Sequence, residues 1–228
     1  MDEITSKRMP IRQLKKKILK LFNHKDFGKV LEEICKLPAK QVVNPLFSLF
    51  YSTDEIIKWL AVSSMGAVVS NLAKQDMESA RVVMRRLMWN LNDESGGICW
   101  GSPEAMGEIM ARNKKLALEY HNILISYIRE DGNFIEHEML QRGVLWGLGR
   151  LAHARPQLVQ DAALFLLPYM RSKDAVLRGL AAWTARALDS EVTNIYLEHF
   201  VNDNSKIMIF LEGQLVERSV SQLTLLKR

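Results

Sequence analysis

The residues best suited to chemistry fall in one short stretch, Ser95-Gly96-Gly97-Ile98-Cys99-Trp100-Gly101, which leads into Ser102-Pro103-Glu104. Three glycines, a thiol and an indole precede what reads as a helix start. Ser102 would cap it, Pro103 would be its first helical residue, and Glu104 would face the positive end of the helix dipole. Free backbone N–H groups at such a start can receive an anion or a carboxylate. A helix N-terminus also lowers a thiol pKa, which would make Cys99 reactive, but no His or Lys beside it supports catalysis. Trp100 offers a large contact area at small entropic cost, as binding hot spots do. Cys99, Trp100, Gly101 and Glu104, with Arg142 from a later segment, are therefore the candidate binding residues. A structural reading stands beside this one: glycines for positive φ, and Trp100 plugging a gap between helices. No phosphate-loop spacing is present, and no Lys-Ser/Thr pair follows the glycines.

Metal chemistry finds less support. His24, His121, His137, His153 and His199 form no ligand spacing within any helix. Glu136-His137-Glu138 clusters in sequence, yet neighbours on a helix diverge by about 100° and cannot converge on one ion. Cys35 and Cys99 are the only cysteines, too few for a thiolate zinc site or a disulfide framework. Cys35, set among Val30, Leu31, Ile34 and Leu37, reads as core. No metal, cofactor or catalytic residue is expected.

The net charge of +5 is concentrated at one end. Residues 1–25 carry eight Lys and Arg against two acids, 8 − 2 = +6, leaving 5 − 6 = −1 for the rest. After Pro10, the residues Ile11, Leu14, Ile18, Leu21 and Phe22 form one apolar face of a first helix, and Lys15, Lys16, Lys17 and Lys20 fall on the other. This pattern suits a solvated capping helix, and equally an arm that contacts phosphates or a membrane surface. A nucleic-acid-binding array would spread its positive charge along its length, which argues against that partner. There is no run of 18 apolar residues and no secretory signal pattern, so no membrane span is expected and the cytoplasm is the default.

The elements that must position these residues come from a repeat. Four helical segments read IIKWLAVSSMGAVV, GICWGSPEAMGEIM, EMLQRGVLWGLGRLA and DAVLRGLAAWTARAL, with small residues Gly66, Gly107, Gly149 and Ala185 in register. The steps of 41, 42 and 36 residues lie in the range of helix-pair arrays. Small residues six positions before the mark (Gly101, Gly143, Gly179) and two before it (Ser64, Ala105, Gly147) would let helices approach closely. Val68, Ile109, Leu151 and Ala187, two after it, should be buried. Glu138/Arg142 and Asp174/Arg178 read as i,i+4 acid–base pairs, with Asp54/Lys58 one position earlier, and the second copy lacks such a pair.

The predicted helices are Asp26 to Lys36, a short one opened by Asn44-Pro45, one capped by a Ser52/Glu55 box and running to Leu72, and its partner from Asp76 to Asn90. The second marked helix and a partner over 114–130 follow, then a third over 135–153 with a partner from Pro156 to Met170. A fourth covers 174–188, followed by 191–201. The tail alternates in hydrophobicity over 207–220 around Gly213, which suits a β-hairpin covering the exposed end of the array, with a helix as the competing reading. The expected architecture is an all-α, short right-handed α-solenoid of four to five helix pairs, with capping helices over 1–51, four repeats over 52–202 and a hairpin or cap over 203–228.

At Arg142-Gly143…Trp146-Gly147-Leu148-Gly149, Arg178-Gly179…Ala182…Ala185 and Pro103-Glu104-Ala105-Met106-Gly107 the chain resembles the HEAT-like repeats found in phycobilisome lyases and in bacterial scaffold proteins. Overall it resembles stand-alone HEAT-repeat proteins of anaerobic, sulfate-reducing bacteria. The resemblance covers roughly residues 50–200 and implies a fold far more than an activity. HEAT-like deoxyhypusine hydroxylases place His-Glu iron ligands seven and six residues before the mark; here those pairs are Trp59-Leu60, Trp100-Gly101, Arg142-Gly143 and Arg178-Gly179. HEAT-like alkylpurine DNA glycosylases carry a catalytic Asp at a position that falls at or near Gly96 in this chain. Similarity to phycobilin lyases stops at the repeat motif.

The expected function is thus a non-catalytic protein–protein interaction scaffold or adaptor, binding on the concave face formed by the second helices of the pairs. A nucleic-acid-binding, glycosylase-like or lyase-like protein is the alternative. A neutral or acidic concave face would favour a protein partner, and a basic, aromatic-lined groove would favour nucleic acid.

Overall fold

The structure of the protein, a computed structural model, describes residues 9–91 and 100–226. Cys99 and the glycines at 96 and 97 lie outside the described residues. Eleven helices lead up to a hairpin: α1 Ile11–Phe22, α2 Phe27–Cys35, α3 Ala39–Leu49, α4 Glu55–Gln75, α5 Met77–Leu91, α6 Ser102–Arg112, α7 Lys114–Ser126, α8 Glu138–Ala154, α9 Ala163–Met170, α10 Ala175–Leu188 and α11 Glu191–Leu197. Strands β1 Lys206–Leu211 and β2 Gln214–Ser219 then pair antiparallel, and α12 Val220–Leu223 follows.

The helices form two layers. In the inner layer α2, α4, α6, α8 and α10 pack in sequence order; α3, α5, α7, α9 and α11 cover them from one side, and α1 closes the first pair. Helix α6 is buried almost all round, with ten of its eleven residues buried. Helix α4 is long and apolar enough to cross a membrane by length and composition. Its buried run from Leu60 to Ser70 shows why: it is a core helix, packed between α2 and α6 and covered by α3 and α5. The expected core positions Val68, Ile109, Leu151 and Ala187 are all buried.

The small register marks are where successive inner helices meet. A Cβ on Gly107 would stand 2.4 Å from the Cα of Gly147, so only a glycine pair allows α6 and α8 to approach this closely. Gly66 makes room for the side chain of Glu108, and Gly149 for Trp183.

Local signals fix the helix starts, with several departures from the sequence reading. Asp26, Asp54 and Asp174 accept hydrogen bonds from the first-turn N–H groups of α2, α4 and α10. The cap of α4 is therefore Asp54 and not a Ser52/Glu55 box; the Ser52 hydroxyl instead accepts from the Asp54 N–H at 3.2 Å. The cap of α6 is Gly101, at φ 91°, and Ser102 is its first residue, with a buried hydroxyl that has no partner among the described residues. A left-handed turn is needed there, and glycine supplies it. Pro45 does not open a helix but lies inside α3, which starts after Pro38. It removes one backbone hydrogen bond, and the burial of Val42, Val43, Leu46, Phe47 and Leu49 outweighs that loss. The segment from Pro156 is two short 3₁₀ turns before α9 rather than one helix.

Candidate functional site

Two regions of the fold collect chemistry. The first is the edge formed by the N-termini of α6, α8 and α10, where the sequence placed its candidate residues. Each repeat there hands a side chain to the next. Lys58 Nζ lies 3.8 Å from a carboxylate oxygen of Glu104, Arg142 donates to Asp174 as well as to Glu138, and Arg178 donates to Asp203 at 2.8 Å. Of the expected acid–base pairs within one helix, only Glu138/Arg142 forms as read; Lys58 and Arg178 reach across to the following segment, while Asp54 caps α4 and Asp174 gives one oxygen to the α10 cap and the other to Arg142. The second copy fills this rung with an aromatic: Trp100, half-buried, meets His137 edge-on at 5.4 Å between ring centroids.

The ladder resets the meaning of the candidate residues. Glu104 is buried against Gly143, and Arg142 is held by two carboxylates. Burial opposes ionisation of Asp174 and of Asp203. Hydrogen bonds from the Leu177 N–H and Arg142 to the first, and from Arg178 and Ser205 to the second, overcome it and hold both carboxyls below the ordinary aspartate value. Lys16, Lys17 and Lys20 are exposed on α1 and Lys15 is half-buried, while Leu14, Ile18 and Phe22 face the core; Ile11, read as part of the apolar face, is exposed. Cys35 is partly buried, and burial pushes its thiol pKa up, toward the unreactive form.

The second region went unread in the sequence. The hairpin does not merely cover the last repeat. It runs across the open face of the inner layer, from Gly179 of α10, where Ile207 packs, to α2 at the far end, where Gly213 sits against Phe27. Phe210 anchors it midway: its ring stacks on Trp59 at 5.1 Å with an interplanar angle of 2°, and its carbonyl accepts from the Trp146 indole N–H at 3.0 Å. The strap borders an open cleft of about 640 Å³, lined mainly by α6, α8 and α10. Trp146, Trp183 and Phe210 supply apolar wall, and the His153 ring stacks on Trp183 at 4.7 Å. Arg112, Arg150 and Arg218 supply cations. Glu108, 3% exposed, lies between two of them and accepts from Arg112 Nε at 2.7 Å and from Arg150 Nε at 2.6 Å. Trp100, Glu104 and Arg142 do not line this cavity.

The cleft is built by the first helices of the pairs, not the second, because the hairpin returns over that layer. Its lining is basic and aromatic, yet its volume is that of a small-molecule pocket. A signal for it did exist in the sequence: Glu108 and Arg150 occupy the same register, one residue after the mark, in consecutive copies. Opposite charges at one register position of consecutive copies imply a cross-repeat pair.

Comparison with known proteins agrees with this architecture. Residues 138–184, from the start of α8 into α10, match the family described as HEAT-like repeat. An uncharacterized protein of Archaeoglobus fulgidus is 26% identical over 184 residues, spanning 78% of this chain and 91% of its own. Among solved structures, an engineered protein superposes with a TM-score of 0.51 at 13% identity, over 85% of this chain and 90% of that one. At that identity the likeness is one of fold.

Proposed function

We propose that this chain, an all-α solenoid carrying a HEAT-like repeat, is a non-catalytic scaffold that recognises another protein. One observation carries the reading: four consecutive outer helices each turn a large aliphatic side chain to solvent. These are Val82 on α5, Leu118 on α7, Leu164 on α9 and Ile195 on α11, at 52%, 52%, 61% and 64% exposure. Isolated exposed aliphatics are ordinary, whereas a series along one layer of an array resembles the apolar centre of an interface. Charged groups flank it. Arg81 bridges α5 to α7 through Glu119 at 2.7 Å, beside Val82 and Leu118. Such a rim adds orientation and association rate more than affinity. The cytoplasm suits the role, in a chain with only two cysteines.

The test is capture from cells of the native organism with the wild-type chain and with a Leu118→Asp/Leu164→Asp variant. Both positions are exposed, so each change should alter stability by no more than about 0.5 kcal/mol. A protein retained stoichiometrically by the wild type and lost by the folded variant supports the proposal. Equal retention by both removes the outer layer as the recognition surface.

A further inference from the structure

The outer edge of β2 pairs with no other strand among the described residues. We propose that this edge is a docking site for an extended acidic peptide, which adds to the hairpin as a third strand beside the cleft. This goes beyond the scaffold reading and uses none of the outer-layer residues.

The edge is argued from the ladder. Glu212 and Gly213, at φ 48° and 87°, make a two-residue turn whose flanking pair Leu211/Gln214 is hydrogen-bonded. Bonded and non-bonded pairs then alternate along the register. Ile209/Val216 and Ile207/Arg218 close the ladder, while Phe210/Leu215 and Met208/Glu217 turn their backbone groups outward. On the β1 side the Phe210 carbonyl accepts from the Trp146 indole N–H, which agrees with this phase and seats β1 against α8. On the β2 side the N–H groups of Leu215 and Glu217 and the Leu215 carbonyl have no backbone partner among the described residues. The Glu217 carbonyl accepts an Arg218 amino group at 3.0 Å. Native edges are commonly closed by a proline, a bulge or a covering segment. Strand β2 has no proline, and its register with β1 is continuous from Lys206/Ser219 to Leu211/Gln214. An open edge of this kind takes up an incoming strand through main-chain hydrogen bonds, and alternate side chains set the choice of strand.

The acidity is argued from the face beside that edge. Gln214, Val216 and Arg218 share the side of the hairpin that borders the cleft, so alternate side chains of an added strand would look toward it. The charged lining there is Arg112, Arg150 and Arg218 against Glu108 and Glu212, 3 − 2 = +1. Glu108 is buried, whereas Arg112 is exposed and Arg150 half-buried, so an arriving strand meets a surface more positive than the sum. Glu217, the one acid on β2, is neutralised by Lys206 at 2.8 Å. Carboxylates at alternate positions of the strand complement this field, and lysines there would be repelled. A second copy of β2 is disfavoured in the same way, because it would bring another Arg218.

Fluorescence anisotropy with a short labelled peptide of alternating valine and glutamate, and with its lysine counterpart, tests this on the full chain. The acidic peptide should saturate at least about tenfold more tightly than the lysine peptide, and should weaken as salt rises. Glu217→Pro removes an outward N–H that makes no bond to β1, and should weaken binding at least about tenfold. Glu217→Thr keeps that N–H and should bind at least as tightly as wild type. Because the proline could still disturb the hairpin, hydrogen exchange is also read on the wild type. Bound peptide should slow exchange of the Leu215 and Glu217 amides at least about tenfold. Absence of saturation by the acidic peptide up to about 1 mM overturns the proposal. So do equal binding of the two peptides, unchanged affinity in folded Glu217→Pro, or binding that leaves both amides unprotected. Dimerisation in sedimentation that Glu217→Pro abolishes would also overturn it, by assigning the edge to a second copy.

Discussion

Single side chains in this protein act mostly by letting neighbouring repeats meet. Gly107 is the sharpest case, because any Cβ there would collide with backbone of Gly147 rather than with a flexible side chain. Gly107→Ala should destabilise by at least about 1–3 kcal/mol, measured by denaturant unfolding. Trp100 differs from the core indoles Trp146 and Trp183, both 3% exposed, in being half-buried against His137. Trp100→Ala is expected to cost less than the roughly 3–5 kcal/mol typical of a fully packed aromatic. The ladder also predicts a pH dependence. The folded Asp203 has a lowered pKa, so its contribution is present above the unfolded value near about 4 and is lost as pH falls through the folded value. Asp203→Asn should be less stable than wild type at neutral pH, and the two stability curves should converge in acid.

Helices and strands, taken as units, divide into those that carry the stack and those that dress it. Helix α1 buries Leu14, Ile18 and Phe22 and leaves Lys16, Lys17 and Lys20 in water, as a terminal cap does. Replacing Lys15, Lys16, Lys17 and Lys20 by Gln should shift stability by no more than about 0.5 kcal/mol per residue; a loss of polyanion binding with an intact fold would mark α1 as a salt-dependent contact arm. The hairpin is the opposite kind of element. Its alternation buries Ile207 and Ile209 beside exposed Met208, and Phe210 is 3% exposed among Phe27, Trp59 and Trp146. Phe210→Ala should cost about 3–5 kcal/mol, and the stacked Trp59 should report the loss by fluorescence.

At the scale of the whole molecule, the strap converts an open array into one whose ends are joined. A simple solenoid is stabilised by nearest neighbours and can fray from its ends. Here α10 and α2 are linked through β1, β2 and the Gly213–Phe27 contact, so the terminal pairs cannot open independently. Native-state hydrogen exchange should find α2 and α10 opening with similar free energies, close to the global value. Gly213→Val would place a branched side chain at φ 87° against the Phe27 ring and break that link. In this variant α2 should exchange well before α8. If α2 is already the faster in wild type, the strap holds nothing.

Periodicity alone determined the all-α array, its register and the burial of Val68, Ile109, Leu151 and Ala187, because a recurring apolar face can be satisfied only by stacking on its neighbours. Alternation around Gly213 favoured the hairpin, a local property of strand pairing, but left a helix as the competing reading. Cap identity was half legible: Asp26, Asp76 and Asp174 announce their helices, but competition among Ser52, Asp54 and Glu55 is settled by which backbone conformation each can adopt. Tertiary structure alone decided where the hairpin goes. Nothing in residues 206–219 states that Phe210 will stack on Trp59, some 150 positions earlier. It also decided that Lys58 and Arg178 pair across repeats, since an i,i+4 spacing shows proximity and not the stronger claim of a cap on the same carboxylate. The cavity follows from both. Its arginines and indoles sit on different helices and on the strap, and only the return of the chain across the inner layer brings them to one place.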